Sequence, residues 1–254
     1  KKRGRCVLSF PFPTNPIEAG KGKLISLISL EAGAGSSTLS IMTALTLAGL
    51  QDRVALIDFN SESKIRSYLG YTEKESSISL LDIEKISNDE IIFSACESIN
   101  EKLSFFPGVF NRVIDAGYIN TNLVTKGLTL LKNNFKITVA NTNNLSLYGW
   151  IVPMLSDLVF IVAKPDRVCI DKFYETMDFL ARLEASERAV IILNQIGCPG
   201  GIEEKDVVNF FKPEVKIKYD KDIPRMCNQR KITPDKDIKE QILRVLNKEV
   251  LTCL

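Results

Sequence analysis

The run Gly33-Ala34-Gly35-Ser36-Ser37-Thr38 gathers the residues of this chain best suited to hold an anion. Glycines two positions apart let the backbone turn successive amides to one side, and the hydroxyls behind them add short neutral donors. Upstream, Lys23 to Leu30 (Lys-Leu-Ile-Ser-Leu-Ile-Ser-Leu) reads as a buried strand; downstream, Leu39 to Leu50 reads as a helix of small and aliphatic residues. Strand, glycine-rich turn and helix in that order aim loop amides and a helix N-terminus at one point, as a phosphate cradle requires. The lysine with which such a loop reaches the β- and γ-phosphates is missing, and Ser36 stands in its place. Taken alone, the segment reads equally as a tight turn closing a helix onto a strand.

The rest of the composition narrows the chemistry further. No histidine occurs in the 254 residues, which removes His-based acid–base catalysis, Ser-His and Cys-His nucleophiles and most zinc sites. Cys6, Cys96, Cys169, Cys198, Cys227 and Cys253 are widely spaced with no C-x-x-C pair, as expected for reduced thiols in a cytoplasmic protein. A net charge of +2 gives no argument for a nucleic-acid partner, and the basic opening Lys1-Lys2-Arg3-Gly4-Arg5 reads as a solvated terminus. No apolar run approaches the roughly 18–20 residues of a membrane-spanning helix, and residues 6–12 are too short for a signal peptide. The chain opens without Met and is read as a fragment of something longer.

The elements that must position these residues follow from hydrophobic patterning. Strand-length runs recur at Arg53–Asp58, Leu103–Phe106, Ile137–Asn141, Leu158–Ala163 and Ala189–Asn194, with a weaker one at Val215–Tyr219. Near-continuous Val, Ile and Leu suit strands covered on both faces of a parallel sheet. Between them lie helical patterns, including Ile170–Leu183 with Phe173, Met177, Leu180 and Leu183 on one face. Another runs from Asp235, a candidate cap, to Leu254, with Ile238, Ile242, Leu246 and Val250 aligned and expected to dock on the sheet. Residues 111–122 and 141–149, rich in Asn and Gly, read as loops, and the basic stretch Lys212–Lys231 reads as a solvated face. The expected fold is α/β, a doubly wound, mainly parallel sheet with helices on both faces. Residues 1–22 form a lead-in and residues 23–254 one domain. Polar residues then collect at strand carboxyl ends: Ser36, Ser37, Thr38, Asp58, Asn60, Asn141, Asp166, Asn194 and Asp220.

This constellation resembles the MinD/ParA branch of P-loop ATPases, whose deviant Walker A loop reads K-G-G-x-G-K-T-T, and within that branch it is similar to the TadZ/CpaE type of pilus assembly. The resemblance covers residues 23–254. Beyond the loop, Leu56-Ile57-Asp58-Phe59-Asn60 is similar to the family's I-D-x-D, Leu103–Gly108 to its L-x-x-L-P-G, Ser156–Pro165 to its A-D…P segment, and Tyr219-Asp220 with Ile223 and Pro224 to its closing strand and linker.

Laid on this sequence, the motif shows its departures. The family's leading lysine, which crosses a sandwich dimer to the partner's nucleotide, falls on Glu31, and the first glycine falls on Ala32. Gly33, Ala34 and Gly35 keep the turn, the phosphate lysine falls on Ser36, and the magnesium hydroxyl is kept as Ser37, with Thr38 after it. The acid that handles the attacking water falls on Asn60, the fourth-strand acid on Asn141, and the adenine-reading position on Asn194, which also reads as a strand-end turn residue. Asp58 would hold Ser37 or a magnesium water, or serve as a structural cap.

A lost lysine costs charge-assisted hydrogen bonds of roughly 1.5–3 kcal/mol each, about one to two orders of magnitude in triphosphate affinity. Glu31 adds repulsion toward phosphate, and the asparagines are not carboxylate bases. The resemblance therefore implies a pseudo-ATPase with no catalytic residue, retained as a localisation or assembly platform for a pilus or secretion system. No resident cofactor is expected, and ATP with Mg at reduced affinity at best, through Gly33–Thr38, Asn194 and, for the metal, Ser37 and Asp58. A homodimer is expected, with Glu31 meeting a basic side chain, together with protein partners in a membrane-associated assembly. Contact with the membrane itself would come through those partners, and no sequence-specific nucleic acid is expected. The alternative is a slow ATP-dependent dimerisation switch whose charge comes from Lys164, Arg167 or Lys172. A ParA-like DNA binder ranks last.

Overall fold

Strands rich in Val, Ile and Leu are stable only when both faces are covered, and the chain meets that demand with a helical layer on each side of one sheet. The computed structural model describes residues 22–60, 63–71, 80–85, 91–107, 119–143, 145 and 148–251. The basic opening, Cys6, Cys253, Gly108 and most of the segment 111–122 lie outside these residues.

The strands are β1 (Lys23–Ser29), β2 (Val54–Asp58), β3 (Glu97–Ser98), β4 (Leu103–Phe106), β5 (Ile137–Thr142), β6 (Leu158–Ala163), β7 (Ala189–Ile196) and β8 (Val215–Lys218). They form one sheet in the order β3-β4-β2-β5-β1-β6-β7-β8, parallel except for the β3–β4 pair. Every residue of β2, β5 and β6 is buried. Side chains alternate between two cores. Leu24 and Ile28 of β1 face one layer, Ile25 and Leu27 the other.

One layer consists of α1 (Ser36–Ala48), α2 (Lys64–Leu69), α8 (Asp222–Asn228) and α9 (Lys236–Glu249), and the other of α3 (Ile91–Ser94), α4 (Thr121–Asn134), α5 (Ile151–Leu155), α6 (Arg167–Arg182) and α7 (Glu204–Phe211). α9 docks as its periodicity predicts, with Ile238, Ile242 and Leu246 buried and Asp235 accepting from the Ile238 amide at 2.9 Å. Asp166 caps α6 in the same way, through the Cys169 amide at 2.8 Å. Among the described residues no helix is long and apolar enough to cross a membrane.

The structure departs from the pattern reading at several points. α4 starts at Thr121, inside the segment read as a loop, because Asn120 is its cap (Leu123 N–H, 3.0 Å) and a capping Asn looks like a turn residue in sequence. Thr142, also read as loop, is the buried end of β5, one residue beyond the Ile137–Asn141 run. The two-residue strand β3 carries no hydrophobic alternation and is exposed. β1 lies at the centre of the sheet between β5 and β6, so the crevice beyond its carboxyl end is where an α/β sheet of this kind places a ligand.

Candidate functional site

The turn after β1 is built as its glycines require. Gly33 and Gly35 adopt φ of 83° and 100°, left-handed values that side chains resist. At Gly35 a Cβ would also meet Asn194 Nδ2 at 2.4 Å. Gly35 precedes α1 with no side-chain cap, and within the described residues the amides of Gly35, Ser36, Ser37 and Thr38 have no hydrogen-bond acceptor. An uncapped N-terminus beside left-handed glycines is an anion-binding concavity. The cradle keeps its donors.

Its carbonyls are held from outside. Ser29 Oγ donates to Glu31 O at 2.6 Å and Lys164 Nζ to Ala32 O at 3.3 Å. Gln195 Nε2 donates to Gly33 O at 2.7 Å, and Asn194 Nδ2 to Ala34 O at 2.8 Å. Successive carbonyls of the turn are thus fastened by neighbouring side chains while the amides that follow stay open. Glu31 completes the frame. One carboxylate oxygen accepts from the Ala32 amide at 2.9 Å and the other from Lys172 Nζ. The Lys172 hydrogen bond holds the Glu31 carboxyl below the usual glutamate range. Within the chain, then, Glu31 already has a basic partner in Lys172.

Beneath the turn lies Asp58, buried at the end of β2. Its Oδ1 accepts from Asn60 Nδ2 (2.7 Å), Asn141 Nδ2 (3.0 Å) and the Asn60 amide (3.1 Å), and its Oδ2 accepts from Ser63 Oγ (2.6 Å). Burial pushes its pKa up to about 6, with Ser63, Asn60 and Asn141 opposing that rise. Asn60 Oδ1 in turn takes the Asn143 amide at 2.7 Å, which pins the loop after β5. Asp58 makes no direct bond to Ser37. Asn141 stands between them, and its Nδ2 also donates to Ser37 Oγ at 3.2 Å. The reverse orientation would turn its oxygen toward the Asp58 carboxylate; the present one leaves Asn141 Oδ1 buried and without a hydrogen-bond partner among the described residues.

Magnesium wants oxygen ligands around it. Here Ser37 Oγ accepts from an amide N–H₂, Asp58 Oδ1 already accepts three hydrogen bonds, and Asp58 does not line the cavity beside the turn, so the donor set does not fit the ion. The loop amides do fit a phosphate.

A cavity of about 530 Å³ opens above the turn. Gly33, Gly35, Ser36, Ser37, Thr38 and Asn194 line it, whereas Ala34, Asp58 and Glu31 lie outside. Lys164, Arg167 and Lys172, expected as alternative sources of charge, do not line it. Each is committed to a carboxylate: Lys164 to Asp166 at 2.9 Å, Arg167 to Asp171 at 3.4 Å and Lys172 to Glu31. The cavity lysines are instead Lys64, at the start of α2, and Lys218, at the end of β8. Neither stood out in the sequence. Lys218 sits in the basic stretch read as a solvated face, and Lys64 follows no motif; the Lys-Ile-Lys alternation of β8 was the one available signal. Gln195 escapes the sequence reading as well, because the apolar run ends at Asn194, whereas β7 continues to Ile196 through a positive φ of 61° at Gln195.

No family model matches the sequence, and no curated protein matches it. Solved structures do match. A plasmid partition protein of Borrelia burgdorferi B31 bound to AMPPNP aligns at a TM-score of 0.74 and 19% identity, over 91% of this chain and 100% of that one. The MinD cell division protein of Aquifex aeolicus gives 0.71 and 18%, over 89% and 97%. A ParA family ATPase from Chlorobium tepidum gives 0.69 and 16%, over 89% and 98%. At such identities the likeness speaks for the fold, and the chain has the α/β P-loop fold of the MinD and ParA ATPases.

Proposed function

We propose that this chain is a MinD/ParA-like pseudo-ATPase, a domain that keeps the fold as an assembly or localisation platform and does not hydrolyse nucleotide. The observation that carries this reading is the state of Asp58. Its carboxylate is consumed by Asn60, Asn141 and Ser63, and the positions that would supply further carboxylates in a hydrolase are the two asparagines that consume it. Phosphoryl transfer needs charge neutralisation and a positioned water, and among the described residues none directly beneath this turn is placed to offer either. The fastened carbonyls support the same reading, since they hold the turn in shape without a phosphate.

As a platform the protein would act through its surface, as a homodimer whose closure is independent of ATP. Glu31, which still has lone pairs beyond its bonds to Lys172 and Ala32, would be a contact between copies. The motif likeness to the TadZ/CpaE group suggests the positioning of a pilus or secretion assembly at a membrane through protein partners. The complex of MinD with MinC from Aquifex aeolicus is one case of this fold assembling with another protein.

The open amides of residues 35–38 favour a second reading, a slow ATP-dependent dimerisation switch. Phosphate release from Mg-ATP and light scattering after size exclusion separate the two. The platform predicts no release above the protein-free blank and one dimeric mass with or without ATP. Saturable release, or a monomer that dimerises only with ATP, would establish the switch instead; a strict monomer in both conditions sinks the dimer.

A further inference from the structure

We infer that Gln241 of α9 guards the outer edge of β8, its side-chain amide taking the place of a further strand so that two copies of this chain do not pair there. Neither Gln241 nor Lys216, its partner on β8, lines the cavity at the turn, so the guard is independent of what that site binds.

An open sheet has two edges, and each presents backbone groups that a strand from another molecule can pair with. Here the outer strands are β3 and β8. β3 has two residues, too short an edge to template a partner. β8 has four, with Val215 and Ile217 buried and Lys216 and Lys218 exposed, and β7 is its only neighbour in the sheet. One side of this strand is therefore open to pairing.

Gln241 fills it. Its Oε1 accepts from the Lys216 amide at 2.8 Å, and its Nε2 donates to the Lys216 carbonyl at 2.7 Å. Two bonds to one residue repeat the exchange that a hydrogen-bonded neighbour makes in a ladder. Asp237 fixes which way the amide faces, because Gln241 Nε2 also donates to its Oδ2 at 3.3 Å. The reverse orientation would set an oxygen against both that carboxylate and the Lys216 carbonyl. One turn further along α9, Arg244 Nη2 donates to the Glu214 carbonyl at 3.0 Å, just before β8 begins. Asp237, Gln241 and Arg244 lie at helical spacings of four and three, on one flank of α9. Burial of Ile238, Ile242 and Val245 holds that flank against the strand.

The Lys216 bonds to Gln241 are solvent-exposed, so water would satisfy the same backbone groups. What a side chain does there and water does not is keep a strand out. The exposed Lys216 and Lys218 act in the same direction, since antiparallel copies would set like charges against each other.

Light scattering after size exclusion tests this with Gln241→Ala, over a wide range of concentration and without nucleotide. The parent's mass at each concentration is the baseline, so a contact through Glu31 does not confuse the comparison. The variant should rise to at least about twice that mass as concentration increases, because antiparallel pairing of one edge with its copy is self-complementary. Lys216→Pro removes the amide on the open edge, so adding it to Gln241→Ala should restore the parent's mass. Lys239→Ala, on the far flank of α9, should leave the mass unchanged. Hydrogen exchange at the Lys216 amide reads the same edge without the proline. It should be slow in the parent, about tenfold faster in dilute Gln241→Ala, and slow again when that variant is concentrated. A Gln241→Ala variant that keeps the parent's mass, association that the proline does not reverse, or a Lys216 amide as slow in the dilute variant as in the parent overturns the inference. Should the proline variant fail to fold, mass and exchange of the single variant decide the matter.

Discussion

Asp58 shows what a single residue does when the chemistry around it is replaced. An aspartate in water titrates near 3.8, and burial at the end of β2 raises this one to about 6. Its folded-state pKa is therefore above its unfolded one, and protonation favours the fold. The associated stability, about 3 kcal/mol, is fully present below about pH 4, declines as the pH rises, and is gone above about pH 6. The variant Asp58→Asn removes that dependence while keeping an oxygen for Asn60 and Asn141. Urea melts between pH 4 and 7 should therefore show the parent losing about 3 kcal/mol relative to the variant across this interval. A parent–variant difference that stays flat with pH would mean that the four donors hold the carboxylate as well as water does. The lowered carboxyls, such as Glu31 and Asp157, change stability in the opposite direction and cancel in the comparison.

At the scale of elements, the carboxyl end of β7 is what fixes the turn after β1. Asn194 and Gln195 point the same way because the positive φ at Gln195 breaks the alternation of the strand, and both side-chain amides reach backbone carbonyls of the turn. Asn194→Ala leaves the buried Ala34 carbonyl without its donor and should cost about 1–3 kcal/mol. Gln195→Ala, at an exposed carbonyl, should cost less. Denaturant unfolding ranks the two, and amide exchange at Gly35–Thr38 should quicken in the first. Equal stability of Asn194→Ala and parent would mean that the glycines hold the turn alone. This contact explains what the sequence could not convey. The strands announce themselves through long Val, Ile and Leu runs, and α9 through its apolar period with Asp235 before it, because burial leaves a pattern in one segment. The Asn194–Ala34 contact and the Asn141 bridge join residues 160 and 104 or 83 positions apart, and distance along the chain hides such pairs. The turn itself was legible, whereas its fastenings and the lysines of its cavity were not.

At the scale of the whole molecule, the replaced residues fall into separate arrangements, with only the two asparagines joined, through Asp58. Glu31 belongs to Lys172 on α6, Ser36 faces the cavity, and Asn60 and Asn141 share Asp58. Restoring lysine at the turn is therefore separable from restoring hydrolysis. In Glu31→Lys with Ser36→Lys, the new side chain at 36 enters the cavity beside open amides. The one at 31 forfeits a half-exposed ion pair worth about 0–1 kcal/mol and confronts Lys172 with a like charge. The gain should come from position 36, and ATP affinity should rise about ten- to hundredfold with phosphate release still absent. Adding Asn60→Asp would set a second carboxylate where an amide now donates to Asp58 at 2.7 Å, so catalysis cannot return one acid at a time. Calorimetry with the double variant and with each single change decides the matter. No gain at position 36 would mean that the amides of the turn do not converge on a phosphate. A gain accompanied by turnover would mean that the Asp58 network yields its carboxylate once a nucleotide is bound.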